Sequence, residues 1–269
     1  MSFLTARPDT FKTTLEVVPP GTHDPGPLLT RLKAISHLPF DGFSVAANPV
    51  AKPRMSAMAF SHLLQRDTKK PAILHVTVRD HNRLGLQAEL WGARALGIDT
   101  VICVTGDPSA REAQTATVND LNVFDLITMA RDTGLTPGAV LDFRPEVDGL
   151  AHEINRLEKK QAAGCQYIVT QPVYDRATAE RIKKHMPANA QVILGILPLL
   201  SLRHARFLHH KVAGIAVPPS LMAKMKAAEE PVKTGIENAR DMLAIAREHF
   251  SGACIMPPFD RFDIMHDIL

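Results

Sequence analysis

Three polar side chains stand at the ends of short apolar runs: Glu16 in LEVVPP, Asp107 in TGDP and Gln171 in TQPVY. A carboxyl group with apolar neighbours has a raised pKa, so Glu16 could hold a proton near neutral pH and act as a general acid. The amide of Gln171 offers two donors and one acceptor, which suits the edge of a heterocycle. These three residues are therefore the first candidates for a site that handles protons on a small ligand.

Each candidate also has a purely structural interpretation. Glu16 would then form an ion pair with a lysine or arginine, Asp107 would cap the following turn, and Gln171 would bind backbone groups. Lys160 follows Glu158 and Lys159 on an amphipathic segment, which is typical of a solvated helix face, although a cation near the end of a strand could instead neutralise a phosphate. The residue types alone leave these alternatives open.

The candidates follow β-rich runs that alternate with segments of helical spacing, and this alternation runs through the whole chain. The predicted strands are Thr13–Val18, Gly42–Ala46, Ala72–Val78, Thr100–Val104, Gly138–Phe143, Tyr167–Thr170, Gln191–Ile196 and Ala253–Met256. The predicted helices are Gly26–His37, Met55–Arg66, Arg83–Leu96, Asp120–Thr133, Gly149–Ala163, Ala177–His185, Leu202–His210 and a longer region, Ser220–Phe250.

Eight strand–helix repeats in a chain of 269 residues favour an α/β fold, a closed (β/α)8 TIM barrel that spans residues 1–269 as one domain. Such barrels carry their chemistry at the carboxyl ends of the strands, where the candidate residues stand. The alternative is an open doubly wound sheet. It is disfavoured because no G-x-G-x-x-G follows the first strand.

Composition excludes several classes of protein. The net charge is +3 and is not gathered into blocks, which argues against a nucleic-acid partner. The 12 histidines show no metal-binding spacing, so no metal site is expected. The 3 cysteines stand far apart in apolar runs, which is typical of a reduced, cytoplasmic protein. The sequence has no apolar run long enough to span a membrane and no signal peptide at its start, so we expect no membrane association.

Four longer segments resemble the catalytic barrel of 5,10-methylenetetrahydrofolate reductases, and in particular the reductase half of bacterial homocysteine methyltransferase/reductase fusions. They are TLEVVPP from Thr14, HVTVRDHNRLGLQAELWGARALGIDTVICVTGDP from His75, INRLEKKQAAGCQYIVTQPVYD from Ile154 and GILPLLSLRHARFLHHKVAGIAVP from Gly195. The resemblance covers roughly residues 11 to 269.

The resemblance implies an enzyme in which FAD passes hydride between NADH or NADPH and the methylene carbon of methylenetetrahydrofolate, in either direction. Glu16 is similar to the general acid that protonates the folate, and Asp107 to the carboxylate beside flavin and pterin. By the same resemblance, Gln171 would contact the pterin and Arg261 the glutamate tail of the folate. The positions that match flavin-binding residues are His75, Thr105, Gly106, Asp107 and Lys160. A homo-oligomer or a second subunit is expected by analogy, and no regulatory domain.

The chain departs from the family at aromatic positions. Arg144 stands where a tyrosine commonly stacks on the cofactor, and it becomes the candidate for binding the FAD pyrophosphate; Asp148 replaces a histidine. With 2 tyrosines and 1 tryptophan in the chain, two other functions stay open. One is a flavin-free barrel that binds folate or a partner protein, and the other is a pterin-dependent methyltransferase.

Overall fold

A computed structural model describes residues 3–4, 10–107, 116–118, 120–141, 149–187, 190–212 and 214–269. Arg144 and Asp148 lie outside these residues. None of the described helices combines the length and the apolar composition of a membrane span.

The predicted fold class is confirmed: eight parallel strands form a closed barrel in the order of the sequence. The strands are β1 Lys12–Val17, β2 Gly42–Val45, β3 Ala72–Thr77, β4 Thr100–Val104, β5 Thr136–Leu141, β6 Tyr167–Pro172, β7 Val192–Ile196 and β8 Gly252–Ile255. Closure is complete because β1 pairs with β8 as well as with β2. All eight strands therefore point their carboxyl ends toward the same face, where the loops meet.

Helices cover the outside of the barrel. They are α1 Gly26–Ile35, α2 Ala57–Thr68, α3 Arg83–Ala95, α4 Val123–Asp132, α5 Gly149–Ala162, α6 Arg176–His185, α7 Leu202–Lys211, α8 Pro219–Ala227, α9 Pro231–His249 and α10 Met265–Ile268. The single region predicted over Ser220–Phe250 is in fact two helices, α8 and α9. The break lies at residues 228–230, and Pro231 begins α9, because a proline fits the first turn of a helix but would interrupt a helix interior.

The fifth strand begins two residues earlier than predicted, and the last two residues of its predicted range, 142 and 143, lie outside the described residues. The letters TPG at residues 136–138 are typical of a turn, yet Thr136 and Pro137 pair with Thr100 and Val101 of β4. Pro137 lacks an N–H, but its carbonyl accepts from the backbone N–H of Gln166, so it still takes part in the sheet.

The barrel interior is filled with side chains and is not a channel. Ile73, Ile102, Val169, Ile193 and Cys254 pack there around Tyr167, which is 1 % exposed. The Tyr167 hydroxyl donates to the carbonyl of Val101 at 2.8 Å. A Cβ on Gly138 would lie 2.2 Å from the Tyr167 ring, so glycine is the residue that lets the ring fit. This packed floor leaves the ligand-binding space to the mouth of the barrel above it.

Candidate active site

A cavity of about 670 Å³ opens at the carboxyl ends of the strands. Glu16 from β1 and Gln171 from β6 both line it, although 155 residues separate them in sequence. The remaining wall is built largely from prolines and apolar side chains: Val18, Pro19, Pro20, Pro27, Leu28, Pro49, Pro172, Leu197, Leu208, Val212, Ile215, Met256, Pro257 and Phe259. A mostly apolar cavity with a few convergent polar groups is the usual form of a small-molecule site.

Glu16 has the environment that its sequence neighbours predict. Burial raises the pKa of Glu16 from 4.5 to about 7, because the charged form loses its hydration in the barrel mouth. Among the described residues, no lysine, arginine or histidine forms an ion pair with this carboxyl group. The structural alternative of an ion pair therefore finds no partner in the described part of the chain, and Glu16 can carry an exchangeable proton near neutral pH.

A neutral histidine lies two strands away from Glu16. Glu16 is paired with Ser44 of β2 in the strand register, and the Ser44 hydroxyl lies 2.7 Å from Nε2 of His75 on β3. Burial lowers the pKa of His75 to about 4, so its imidazole is uncharged at neutral pH. Because His75 brings no positive charge, it does not favour ionisation of Glu16.

Asp107 lies on another part of the same face and is exposed. Its Oδ2 accepts from the backbone N–H of Val50 at 2.6 Å, so it holds the loop that follows β2. That loop is unusual because Asn48, Val50 and Ala51 have φ values of 43°, 51° and 55°. Positive φ is rare for a β-branched residue such as Val50, and such conformations cluster at functional sites. The turn that Asp107 would cap in its structural interpretation lies outside the described residues, and the cap of the next described helix, α4, is Asn122.

Arg79 connects the same loop to the ends of β3 and β4. Its guanidinium binds Asp80 through two hydrogen bonds, Nε to Oδ1 at 2.6 Å and Nη2 to Oδ2 at 2.8 Å. Arg79 also donates to the carbonyl of Asp107 at 2.8 Å and to the carbonyl of Asn48 at 3.2 Å. The Arg79 side chain is 7% exposed, so these bonds form a buried network that fixes the position of Asp107.

The other cofactor-binding candidates lie apart from the cavity wall. Thr105 is exposed, and Gly106 is half-buried with a φ of 89°. Lys160 is 5% exposed, and its Nζ donates to the carbonyl of Val140 at 2.6 Å. The cavity brings together Glu16 and Gln171, and among the described residues it does not include His75, Thr105, Gly106, Asp107 or Lys160.

Glu153 is a buried acid that sequence reasoning missed. It lies in the first turns of α5, seven residues before Lys160, and is 6% exposed. Among the described residues its Oε2 has no hydrogen-bond partner, and the Nε of Arg156 lies 3.6 Å from its Oε1. Buried carboxylate oxygens are normally satisfied, so this one is a candidate acceptor for a ligand hydroxyl or amine. The polar pattern of α5 in the sequence is typical of any surface helix and carries no signal for this role.

Arg261 forms a local ion pair. Its Nε donates to Oδ1 of Asp263 at 2.8 Å and its Nη2 donates to Oδ2 at 2.7 Å, so the guanidinium binds that carboxylate in a bidentate manner. Arg261 does not line the cavity, whereas its neighbours Phe259 and Asp260 do.

Two arginines that sequence reasoning missed line the cavity, Arg31 from α1 and Arg54 from the loop after β2. Arg31 lies on a helix face with no local motif. Arg54 lies in a loop that follows the carboxyl end of a strand, where barrels of this kind carry their functional residues. That location in the sequence could have identified it as a candidate.

Comparison with known proteins identifies a family and a shared fold. The family model described as Methylenetetrahydrofolate reductase matches residues 4–252. Methylenetetrahydrofolate reductase 2 of Schizosaccharomyces pombe is 26% identical over 215 residues, which is 71% of this chain and 33% of the yeast protein. The chain thus spans about a third of the length of that relative.

Solved structures share the fold. A Clostridium thermocellum protein that binds two copies of 5-methyl-5,6,7,8-tetrahydrofolic acid has a TM-score of 0.67 and 18% identity, covering 96% of this chain and 92% of the other. A 2,3-dimethylmalate lyase of the PEP mutase/isocitrate lyase superfamily has a TM-score of 0.56 and 14% identity, covering 97% and 78%. The structural likeness shows a common barrel, and the family match over most of the sequence is more specific: this chain belongs to the methylenetetrahydrofolate reductase family.

Proposed function

We propose that this protein is a flavin-dependent oxidoreductase that interconverts 5,10-methylenetetrahydrofolate and 5-methyltetrahydrofolate, with NADH or NADPH as the nicotinamide partner. The observation that carries the proposal is the pairing of Glu16, whose pKa is raised to about 7, with Gln171 in one cavity. Reduction of the methylene bridge requires that one of its nitrogens leaves the carbon, and protonation of that nitrogen makes it a better leaving group.

Glu16 is the proton donor in this proposal. With a pKa of about 7, a large fraction of Glu16 is protonated at neutral pH, and the remainder can accept a proton in the oxidative direction. Gln171 binds the pterin edge through its amide. The neutral His75 two strands away leaves the proton on Glu16.

The polar groups of the described residues suit a flavin dinucleotide. Glu153 offers a buried carboxylate oxygen that has no partner in the described part of the chain, and it would accept from a ribose or ribityl hydroxyl. Lys160 contributes a positive charge from the same helix. Gly106 has no side chain, so a ligand can approach its backbone. Thr105 and His75 add polar groups on the neighbouring strands β4 and β3 or just after them. When bound, FAD supplies the hydride chemistry, and the protein positions it and provides the proton.

The test is a visible spectrum of the purified protein combined with calorimetric titration of 5-methyltetrahydrofolate. We expect flavin absorption that is bleached by NADH or NADPH, and folate binding to the same preparation. A colourless protein that binds folate but not added FAD would contradict the flavin part and support a folate-binding barrel. Flavin absorption without folate binding would contradict the substrate assignment.

The substitution Asp107→Asn tests the carboxylate proposed to lie beside the flavin. Removal of a negative charge near the ring should raise the flavin reduction potential, by about 20 mV if the interaction is about 1 kcal/mol. A redox titration measures this shift. Asp120→Asn is the control, because Asp120 likewise accepts a backbone N–H, from Arg83 at 2.8 Å. If both variants keep the wild-type potential and Asp107→Asn only lowers the melting temperature, Asp107 serves the Val50 loop alone.

A further inference from the structure

Two arginine side chains line the outer part of the cavity, and they differ in whether they already contact other groups of the protein. Among the described residues that line the cavity, Arg31 and Arg54 are the positively charged ones. Arg31 is engaged, since its Nη2 donates to the carbonyl of Asp260 and its guanidinium lies 5.1 Å from the centre of the Phe262 ring. The Arg54 guanidinium has no ion pair or hydrogen bond within the described part of the chain, and it is therefore available to a ligand.

The backbone around Arg54 is nevertheless held in place. The Arg54 N–H donates to Oδ1 of Asn48 at 2.9 Å, and the Met55 N–H donates to the carbonyl of Pro20 at 2.9 Å. These bonds tie the loop after β2 to the loop after β1. A Cβ built on Gly21 would lie 3.3 Å from Nη1 of Arg54, so the guanidinium extends across the β1 loop at a position where glycine leaves space.

The acidic groups that line the same cavity make their recorded contacts with groups other than Arg54. Asp24, which also lines the cavity, accepts from the backbone N–H of Gly26 at 2.9 Å at the start of α1. The carboxylate of Asp260 lies 4.0 Å from Nη1 of Arg31. Glu16, the remaining acid of the cavity wall, has a pKa raised to about 7 by burial and is partly uncharged at neutral pH. An anionic ligand would therefore meet an unpaired positive charge at Arg54.

We propose that Arg54 binds a carboxylate of the acidic tail of the folate substrate and so sets the position of that tail in the cavity. This inference rests on the proposed function. It assigns the tail to Arg54 instead of Arg261, because the Arg261 guanidinium is already bound at two points by Asp263 and lies outside the cavity wall. The pterin then occupies the end near Glu16 and Gln171, and the carboxylate lies at the end near Arg54.

The test combines two ligands, with and without the acidic tail, with two proteins, wild type and Arg54→Gln. Calorimetry measures the affinities of wild type and Arg54→Gln for 5-methyltetrahydrofolate and for a methylated tetrahydropterin that lacks the aminobenzoyl-glutamate tail. We expect Arg54→Gln to weaken folate binding by about five- to tenfold, as loss of a charge-assisted hydrogen bond on an exposed group would do. The tail-free pterin should bind wild type and variant equally. The folate difference should also shrink as salt increases.

Lys52→Gln is the matched control, because it removes one positive charge from the same exposed loop without touching the cavity wall. We expect it to leave both affinities unchanged. Equal weakening of both ligands in Arg54→Gln, or a tail-dependent loss in Arg261→Gln and not in Arg54→Gln, would overturn the inference while leaving the proposed function standing. If wild type binds neither ligand, the proposed function itself fails, and the inference fails with it.

Discussion

Glu16→Gln should slow the transfer of reducing equivalents to methylenetetrahydrofolate by about 10²- to 10⁴-fold, the usual contribution of a general acid. Flavin reduction by the nicotinamide should stay near the wild-type rate, because that step needs no proton on the folate. Stopped-flow measurement of the two half-reactions separates these effects. In wild type the folate step should also slow as pH rises above about 7, where Glu16 loses its proton, and the variant should lack this pH dependence.

The same substitution should stabilise the protein at pH 8. The pKa of Glu16 is raised from 4.5 to about 7 on folding, so between these values the native state binds more protons than the unfolded state, and stability falls as pH rises. A glutamine at this position does not ionise, so the variant does not lose stability in this way as pH rises. The gain in unfolding free energy should be at most about 3 kcal/mol at pH 8 and should vanish below pH 4.5.

Glu158→Gln is the control for this measurement, because Glu158 is an exposed glutamate on α5. It should change neither the folate half-reaction nor the unfolding free energy. Equal loss in both half-reactions of Glu16→Gln, with a lower unfolding free energy at pH 8, would show that Glu16 has a structural role instead.

Arg79→Ala should lower the unfolding free energy by about 3 kcal/mol, since it leaves a largely buried carboxylate without its cation. Burial alone would raise the pKa of Asp80, but hydrogen bonds from Arg79, Asn48 and Thr77 outweigh it and lower the pKa. Asp80 thus stabilises the fold when ionised, and this contribution disappears as pH falls through its native pKa. The difference between wild type and variant, measured by chemical denaturation, should therefore shrink on acidification.

A second pair of adjacent residues provides the control. Arg131 and Asp132 are also an Arg–Asp pair, but their side chains are 46% and 61% exposed. Arg131→Ala should cost no more than about 1 kcal/mol. The double variant Arg79→Ala/Asp80→Ala should be less destabilised than the sum of the two single changes. Additive effects, or equal losses at Arg79 and Arg131, would argue against a coupled buried network.

The sequence predicts the barrel and the inner end of its cavity well, for a physical reason. Alternating strands and helices force all eight strands to run parallel, so residues at their carboxyl ends converge even when they are far apart in the chain. Glu16 and Gln171 meet in one cavity on this ground alone. Prediction of the elements failed at Pro137 and Pro231. The sequence indicates a turn at Pro137 and a continuous helical region through Pro231. In the structure, pairing with β4 places Pro137 in a strand, and Pro231 begins a second helix.

The outer end of the cavity was not predictable because its loops follow no common turn pattern. Val50, Ala51, Phe259 and Asp260 have φ values between 51° and 56°, and none of them is glycine or asparagine. Sequence rules assign such conformations to glycine, so they do not indicate that these loops turn toward the site. The loop around Val50 depends on Asp107 from the segment that follows β4, a long-range contact that local patterns cannot show.

The most direct measurement of the central claim is product analysis after anaerobic incubation with methylenetetrahydrofolate and excess NADH or NADPH. The proposed function predicts 5-methyltetrahydrofolate in an amount equal to the nicotinamide oxidised, with at least a 10²-fold lower rate in Glu16→Gln. Chromatography with mass detection quantifies both compounds. If a folate-binding, flavin-loaded preparation formed no methyltetrahydrofolate with either nicotinamide, and formed no methylenetetrahydrofolate in the reverse direction, the claim that this barrel interconverts the two folates would be contradicted.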